Sequence, residues 1–321
     1  MASRRSLFAG AALLAAPRVA SAQAWPTRPV RIMVPYSPGG QADTVIRLLQ
    51  PKITEFLGQA LVLENRPGAG GSIAAGVVAG AAADGYTLLF DSFPFAVQPL
   101  IQRSITFNYE TAFAPVGQVV ALPYVLVVKR DFPAHDVPSF VAAAKARSGV
   151  PYGTPGIGSL GHLAGALLAA RAGITMEHVP YRGGTDAARD VAAGNLDSAI
   201  ATASTLRPLV QEGHARGIAL TSGERRGTLA DLPTFAESGF PGFDLTSWNG
   251  LLAPAATPAP VIARLEAALH HATTDEPTRQ RLIASGNDPV TESATAFGER
   301  IRRDREIVRQ LIRDTGLRLE G

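Results

Sequence analysis

Two glycine-rich turns, each between an apolar strand and a helical pattern, constrain this chain more than any other feature. The first follows Val30-Arg31-Ile32-Met33-Val34 and reads Pro35-Tyr36-Ser37-Pro38-Gly39-Gly40, with a helical pattern from near Asp43. The second follows a strand near Val150 and reads Tyr152-Gly153-Thr154-Pro155-Gly156-Ile157-Gly158-Ser159, with a helical pattern from Gly161. Such a turn presents backbone N–H groups and the positive end of a helix dipole, a combination that favours an anion. Two of them, about 120 residues apart, imply one anion held between two lobes.

The alternation around these turns predicts an α/β fold. Arg31 to Pro35, Ala60 to Glu64 and Tyr86 to Phe90 read as strands. Thr44 to Leu57, stopped by Gly58, and Ser72 to Ala82 read as the helices between them, giving a parallel βαβαβ unit. Two apolar runs then follow without a helix, Pro115 to Ala121 and Tyr124 to Val128, which suits a crossing between lobes. Alternation resumes with helices over Ser139–Arg147, Leu160–Ala172, Thr185–Ala193 and Leu206–Glu212. The strands among them end at Pro151-Tyr152 or span Met176–Val179, Leu196–Ala201 and Gly217–Leu220. After the apolar stretch Ser247 to Pro254, the helical patterns Pro260–Ala272, Pro277–Ala284 and Ala294–Thr315 have too little strand for a sheet of their own, so they are expected to cover the first lobe. The expected division is residues 25–120 with 250–321 in lobe 1 and 121–249 in lobe 2, with ligands beyond the strand C-termini.

Residues 1–22 read as a signal peptide: basic Arg4-Arg5, the apolar stretch Leu7–Ala16, and Ala20-Ser21-Ala22 as an A-x-A cleavage site. Ser3-Arg4-Arg5-Ser6-Leu7-Phe8 fits a twin-arginine signal as well as an ordinary secretory one. Removing Arg4, Arg5 and Arg18 takes Lys+Arg from 30 to 27, equal to the 27 Asp+Glu, so the mature chain is near neutral. That balance argues against nucleic acid as a partner. The chain has no cysteine, which excludes a lipidated N-terminal cysteine, a thiol nucleophile and thiolate metal sites. The expected location is the periplasm.

Other motifs carry rival chemistries. Gly156-Ile157-Gly158-Ser159-Leu160-Gly161 matches the dinucleotide fingerprint G-x-G-x-x-G, but the acid about 20 residues on, Glu177, falls inside the next strand rather than at its end. Asn65-Arg66-Pro67-Gly68-Ala69-Gly70-Gly71-Ser72 either lines the cleft through Ser72 or is only a stiff turn. Val179-Pro180-Tyr181-Arg182-Gly183-Gly184-Thr185 offers Gly183, Gly184 and Thr185 as donors, and Arg182 or Arg66 as a carboxylate partner. The six histidines form neither H-x3-H nor H-E-x-x-H, which speaks against a metal; His162 lies one turn beyond the second glycine loop. Ser159 is outside any G-x-S-x-G elbow. Asp43 and Asp91 are open to acid–base work, as an exported α/β hydrolase would need. The simpler reading has Asp43 orienting the first loop and Asp91 with Ser92 binding a polar part of a ligand.

In their joint order, Trp25-Pro26-Thr27-Arg28-Pro29-Val30, Val34 to Gly40 with Asp43, Asn65 to Gly71, Asp84-Gly85-Tyr86-Thr87-Leu88, Tyr152 to Ser159, Val179 to Gly184 and Trp248-Asn249-Gly250 resemble the Bug-type extracytoplasmic solute receptors, the substrate-binding proteins of tripartite tricarboxylate transporters. The resemblance spans essentially the whole mature chain. Ser92-Phe93-Pro94-Phe95-Ala96-Val97 departs from the small, polar, Asn-containing loop of that family. The resemblance implies a two-lobed periplasmic-binding-protein (Venus-flytrap) fold and no catalysis or cofactor. It also implies a small organic carboxylate held by backbone amides of two pincer loops, and a two-subunit membrane permease as partner of a monomeric receptor. The expected ligand-binding residues are Tyr36, Ser37, Gly39, Gly40, Asp43, Ser72, Asp91, Ser92, Gly156, Gly158, Ser159, His162, Gly183, Gly184 and Thr185. Gly40 and Gly158 are expected where the backbone comes closest to the carboxylate.

Overall fold

The structure is a computed structural model that describes residues 25–101, 105–181 and 183–316. The signal-peptide reading and Arg182 fall outside the described residues.

Two parallel units with the same internal order form the two lobes. In the first, β1 (Val30–Val34) lies between β2 (Leu61–Asn65) and β3 (Thr87–Ser92), parallel to both. α1 (Gln41–Leu57) and α2 (Ser72–Ala79) make the crossovers; α3 (Pro94–Ile101) then follows β3. In the second, β5 (Val150–Thr154) lies between β6 (Met176–Pro180) and β7 (Ser198–Thr202), with α5 (Leu160–Ala172) and α6 (Gly184–Ala192) as crossovers. The elements that complete the second unit are α4 (Val137–Lys145), α7 (Ala203–Gln211) and β8 (Ala215–Leu220).

The two units meet on one strand. β4 (Phe113–Lys129) pairs antiparallel with β9 (Thr246–Pro254) from Phe113 to Pro123, and with β7 and β8 from Tyr124 onward. β9 in turn pairs antiparallel with β3. The sequence read β4 as two runs because Pro123 interrupts it, and the first run itself carries Pro115 and Gly117. The register shifts between Pro115 and Gly117 and between Gln118 and Val120 absorb part of the irregularity there, as bulges do. β9 went unread as a strand because all but one of its residues are buried, which erases the period-two pattern. α3 and β10 (Asp288–Glu292) were also missed; β10 pairs antiparallel with β4 at Ala121 and Val120.

α8 (Ala259–Thr274), α9 (Glu276–Ala284) and α10 (Ala294–Thr315) return to the first lobe. α10 is fixed by Trp248, whose ring stands edge-on to Phe297 at 4.9 Å between centroids. The indole Nε1–H of Trp248 donates to buried Asp304 at 2.9 Å. Arg300 Nε donates to the same carboxylate at 2.9 Å.

Gly161, last glycine of the G-x-G-x-x-G match, has a packing explanation. A Cβ there would lie 2.2 Å from the carbonyl oxygen of Ile200, so its absence lets α5 lie against β7. Gly161→Ala should therefore destabilise the fold by about 1–3 kcal/mol through overpacking, despite alanine's better helix propensity. Gly76→Ala in α2, whose Cβ would meet only the Phe107 ring at 3.4 Å, should be neutral or slightly stabilising. Urea denaturation of both variants checks this; equal stability would remove the packing role of Gly161.

Candidate functional site

The C-terminal ends of β1, β5, β6 and β7 lead into turns that start α1, α5, α6 and α7. These helix starts divide into two kinds. α5 is closed by its own cap, since Ser159 Oγ accepts the His162 amide at 3.3 Å. α7 is closed by Thr202, whose Oγ1 accepts the Thr205 amide at 3.3 Å. α1 and α6 have glycine caps, Gly40 and Gly183, with no side chain to accept from the first turn. The positive ends of α1, in the first lobe, and α6, in the second, thus lack a capping side chain, and the acid in each first turn, Asp43 or Asp186, is paired with an arginine, Arg47 or Arg189.

Both ends border one cavity of about 370 Å³ between the lobes. Gln41 and Thr44 of α1 line it from one side, with Ser285 and Asn287 from the turn after α9. Pro155, Gly184, Ala201, Thr202, Ser204 and Thr205 line the other, and Tyr124 sits at the crossing strand. The Gln41 amide joins the floor to the hinge, donating to Asn249 at 2.8 Å and to Asn287 at 2.7 Å. Tyr124 is held in its neutral form, with burial pushing its phenol up to about 12. No described residue lining the cavity is a carboxylate, lysine, arginine or histidine.

Of the fifteen expected ligand residues, Gly184 lines this cavity. Gly183 caps the same helix, and Thr185 is exposed in its first turn. The others fall into clusters with internal roles. Asp43 is buried and accepts from the Gly39 amide, Arg47 Nε and Asn65 Nδ2, each at 2.8 Å. Burial works against its charge, yet these hydrogen bonds and the Arg47 guanidinium hold its carboxyl below the usual range. It thereby ties the first glycine loop to α1 and β2. The Gly40 amide is spent on the Ser37 carbonyl at 3.1 Å, and a Cβ at Gly40 would lie 3.0 Å from that same oxygen. At the second loop the Gly156 amide donates to Thr154 Oγ1, the Gly158 amide to His162 Nδ1 and the Ser159 amide to the Gly156 carbonyl. His162 stacks on His178 at 3.8 Å between centroids, and burial, then His178, lowers its pKa to about 4. Its ring is neutral, with Nδ1 as acceptor. Gly158 also reaches the other lobe, because a Cβ there would lie 3.7 Å from Ile101.

Tyr36, Asp91 and Ser92 form a third cluster, at the ends of β1 and β3. Tyr36 Oη donates to Asp91 Oδ1 at 2.8 Å and contacts Ser92 Oγ, and the Ser92 amide donates to the same carboxylate oxygen at 2.7 Å. Ser72 bonds back to the Ala69 carbonyl at 3.0 Å, in a turn whose residues 68–71 all have positive φ. Arg66 is paired with Glu64 at 2.6 Å.

Sequence reasoning did not single out Gln41, Thr44, Tyr124, Thr202, Ser204, Thr205, Ser285 and Asn287, which line this cavity. The Thr202-Ala203-Ser204-Thr205 run carried a usable signal, a hydroxyl cap at a strand-to-helix turn. Ser285 and Asn287 carried none, since they reach the cleft only through the fold. A second groove, of about 520 Å³, lies on the hinge side between Arg226, Asp244, Arg300 and Arg303. Here Arg303 is bonded to Asp244 at 2.8 Å and Arg300 to Asp304 at 2.9 Å, while Glu224, Glu292 and Glu299 add negative charge to the same lining.

Residues 45–317 match the family model described as the tripartite tricarboxylate transporter family receptor. The chain is 37% identical over 274 residues, 84% of its length and 82% of the other's, to a UPF0065 protein in the tcbD–tcbE intergenic region of Pseudomonas sp. strain P51. It is 31% identical over 317 residues, 98% of its length and 97% of the other's, to protein BugT of Bordetella pertussis. Among solved structures it is similar to R. palustris Rpa4515 with adipate, at 30% identity and TM-score 0.76, covering 91% of this chain and 98% of that one.

Burial raises the Asp91 pKa to about 7, and the bonds from Ser92 and Tyr36 oppose that rise without cancelling it. In the unfolded chain the group titrates near about 3.9. Between those values the folded state keeps a proton that the unfolded state has lost, so this group's contribution falls as pH rises from about 4 to about 7, then levels off. Asp91→Asn keeps the acceptor and removes the titration. Its stability should gain on the wild type over that window by on the order of 3 kcal/mol. Urea titrations at pH 5 and pH 8 measure the gap, and an unchanged gap would contradict the raised pKa.

Proposed function

Because the chain belongs to the tripartite tricarboxylate transporter receptor family, we propose that it is an exported, monomeric receptor that captures a small organic carboxylate between its lobes. We propose further that it delivers this solute from the periplasm to a two-subunit permease of the tripartite tricarboxylate type. The family consists of receptors, not enzymes, and that removes the hydrolase alternative. The carrying observation is the meeting of two uncapped helix starts, α1 from one lobe and α6 from the other, at one uncharged cavity. Each helix start is equivalent to roughly half a positive charge. A ligand carboxylate satisfies both only when the lobes are together, which couples binding to closure about β4 and β9. Adipate in the similar R. palustris protein supports the ligand class.

This reading revises the weight of the two glycine turns. The first acts through the start of α1, which Asp43 positions. In the second lobe the anion-facing helix is α6 behind Gly183-Gly184, while the Gly156–Ser159 turn supports the cleft wall through Pro155. The lobes then divide where β4 changes partners, at Pro123–Tyr124, and just before Thr246.

Gly184→Pro isolates the contribution of an amide. Proline is tolerated at the first helical position, where it removes the N–H, and the extended Gly183 before it accommodates a following proline; its Cβ would lie 3.0 Å from that of Ala201, a crowding that Gly184→Ala shares and so controls for. Gly184→Ala keeps the N–H. With a hit from a thermal-shift screen of small carboxylic acids, Gly184→Pro should lose about 10–100-fold in affinity, and Gly184→Ala much less. A bound acid at about 100 times its dissociation constant should stabilise the wild type by roughly 2.7 kcal/mol. Stabilisation by nicotinamide dinucleotides and by no carboxylate would overturn the reading.

A further inference from the structure

The turn after α9 belongs to the first lobe and touches the second. Ser285, Gly286 and Asn287 close the helix in a Schellman arrangement. The Gly286 amide donates to the Ile283 carbonyl at 2.9 Å and the Asn287 amide to the Leu282 carbonyl at 3.0 Å, with Gly286 at a φ of 82°. A Cβ on Gly286 would lie 2.3 Å from the Cβ of Ser204, in the first turn of α7, and 3.0 Å from its hydroxyl oxygen. Glycine therefore lets two lobes meet where a methyl group would not fit. By contrast, a Cβ at Gly158 would keep an ordinary 3.7 Å from Ile101. Ser204 Oγ donates within its own lobe, to Thr202 Oγ1 at 3.2 Å, so the contact with Gly286 is steric and can part.

The same turn is tied to α1 and to the crossing strands. Ser285 Oγ donates to the Leu282 carbonyl at 2.8 Å, so toward Asn287 it accepts, from Nδ2 at 2.8 Å. Asn287 is thereby oriented with Oδ1 toward Gln41, the first residue of α1. Gln41 Nε2 donates to that oxygen at 2.7 Å and to Asn249 Oδ1, on β9, at 2.8 Å. Asn249 is fully buried and its Nδ2 has no hydrogen-bond partner, so what this amide contributes is its acceptor. Beyond Asn287 the chain enters β10. There Asp288 lies opposite Ala121 of β4 and pairs with Arg226 of the second lobe at 3.4 Å, close to where β4 changes partners.

Building on the closing receptor proposed above, we infer that the Ser285–Gly286–Asn287 turn is the closing edge of the first lobe. Gly286 comes to rest on Ser204 when the cleft shuts, and a side chain at Gly286 would stop the lobes short. Asn287 links that edge, through Gln41, to the start of α1 and to β9. Asn249 is a positioning residue in this scheme: it touches no solute, and it acts by holding Gln41. Closure and the placing of α1 are then coupled through one turn whose far end is anchored near the pivot.

The chain has no cysteine, so Ser204→Cys combined with Gly286→Cys makes a single reporter pair. Mild oxidation of the ligand-free protein should join the pair within one molecule, since a slight opening brings the two Cβ atoms to the ~3.5–4.5 Å of a disulfide. A pair that stays reduced in the folded protein overturns the inference. Gly286→Asn adds a side chain of the kind that best tolerates positive φ. Gly173→Asn puts the same backbone strain at the end of α5, where a Cβ would meet nothing within 4 Å. The probe is the tightest binder among adipate, succinate, citrate, lactate and benzoate. By calorimetry it should bind Gly286→Asn about 10-fold or more weakly than wild type, and Gly173→Asn within about twofold. Small-angle scattering should show that saturated Gly286→Asn contracts less than saturated wild type. Wild-type affinity in Gly286→Asn overturns the inference. So does a loss of ligand-free stability far larger in Gly286→Asn than in Gly173→Asn, because that marks fixed packing rather than a contact that opens. Asn249→Leu should weaken the probe about 3–10-fold with stability kept; unchanged affinity overturns the link through Gln41. If none of the five acids binds the wild type, the carboxylate reading falls, and the closing edge is judged by the crosslink and the stability comparison alone.

Discussion

Strand β4 belongs to both lobes, and the rest of the structure depends on that sharing. Its first part is locked to β9 and β10 and its second to β7 and β8, so the change of partner at Pro123–Tyr124 sets how the two parallel units face each other. Backbone hydrogen bonds cannot be left unmade in a buried strand, so the lobes cannot separate here. They can only turn about the place where the partners change. The cavity lies beside that place, with Tyr124 in its wall.

In the proposed receptor, capping decides where the anion goes. Glycine-rich turns at helix starts look alike in a sequence, but the structure sorts them by whether a side chain closes the first turn. Ser159 and Thr202 close α5 and α7, and Gly40 and Gly183 cannot close α1 and α6. A serine or threonine cap consumes donor capacity that a ligand would otherwise use. A glycine cap leaves it available at no steric cost. The site thus has little need of side-chain charge, and one scaffold with different linings can serve different acids.

The clusters around the cleft explain why so many conspicuous residues stand behind the cavity lining rather than in it. Asp43 spends its charge on Gly39, Arg47 and Asn65, and in doing so sets the direction of the first loop. His162 and His178 stack as neutral rings under the second loop, where the Gly158 amide is fixed on His162 Nδ1. Asp91 sits buried between Tyr36 and Ser92. These groups drew notice because polar residues at strand ends are chemically suggestive. Their hydrogen bonds run into the protein, and their part is to hold the loops still.

The sequence by itself determined the alternation of strands and helices, the two-lobed division and the presence of anion-favouring turns. Each of these is encoded in local periodicity and in glycine, whose conformational freedom is a property of the residue. It also determined that Gly58 would end α1, which its left-handed φ of 70° accomplishes. What only the tertiary structure decided is which helix starts lack a capping side chain and which residues line the interlobe cavity. β9 is unreadable locally because burial removes its pattern, and β10 because Asp288-Pro289-Val290-Thr291-Glu292 offers a single aliphatic residue and a proline. Ser285 and Asn287 reach the cleft from more than 240 residues beyond Gln41 through the packing of α9 against the first lobe. Whether a glycine turn spends its amides inward or offers them outward depends on neighbours such as Thr154 and His162, brought to it by the fold, and no local pattern records that choice.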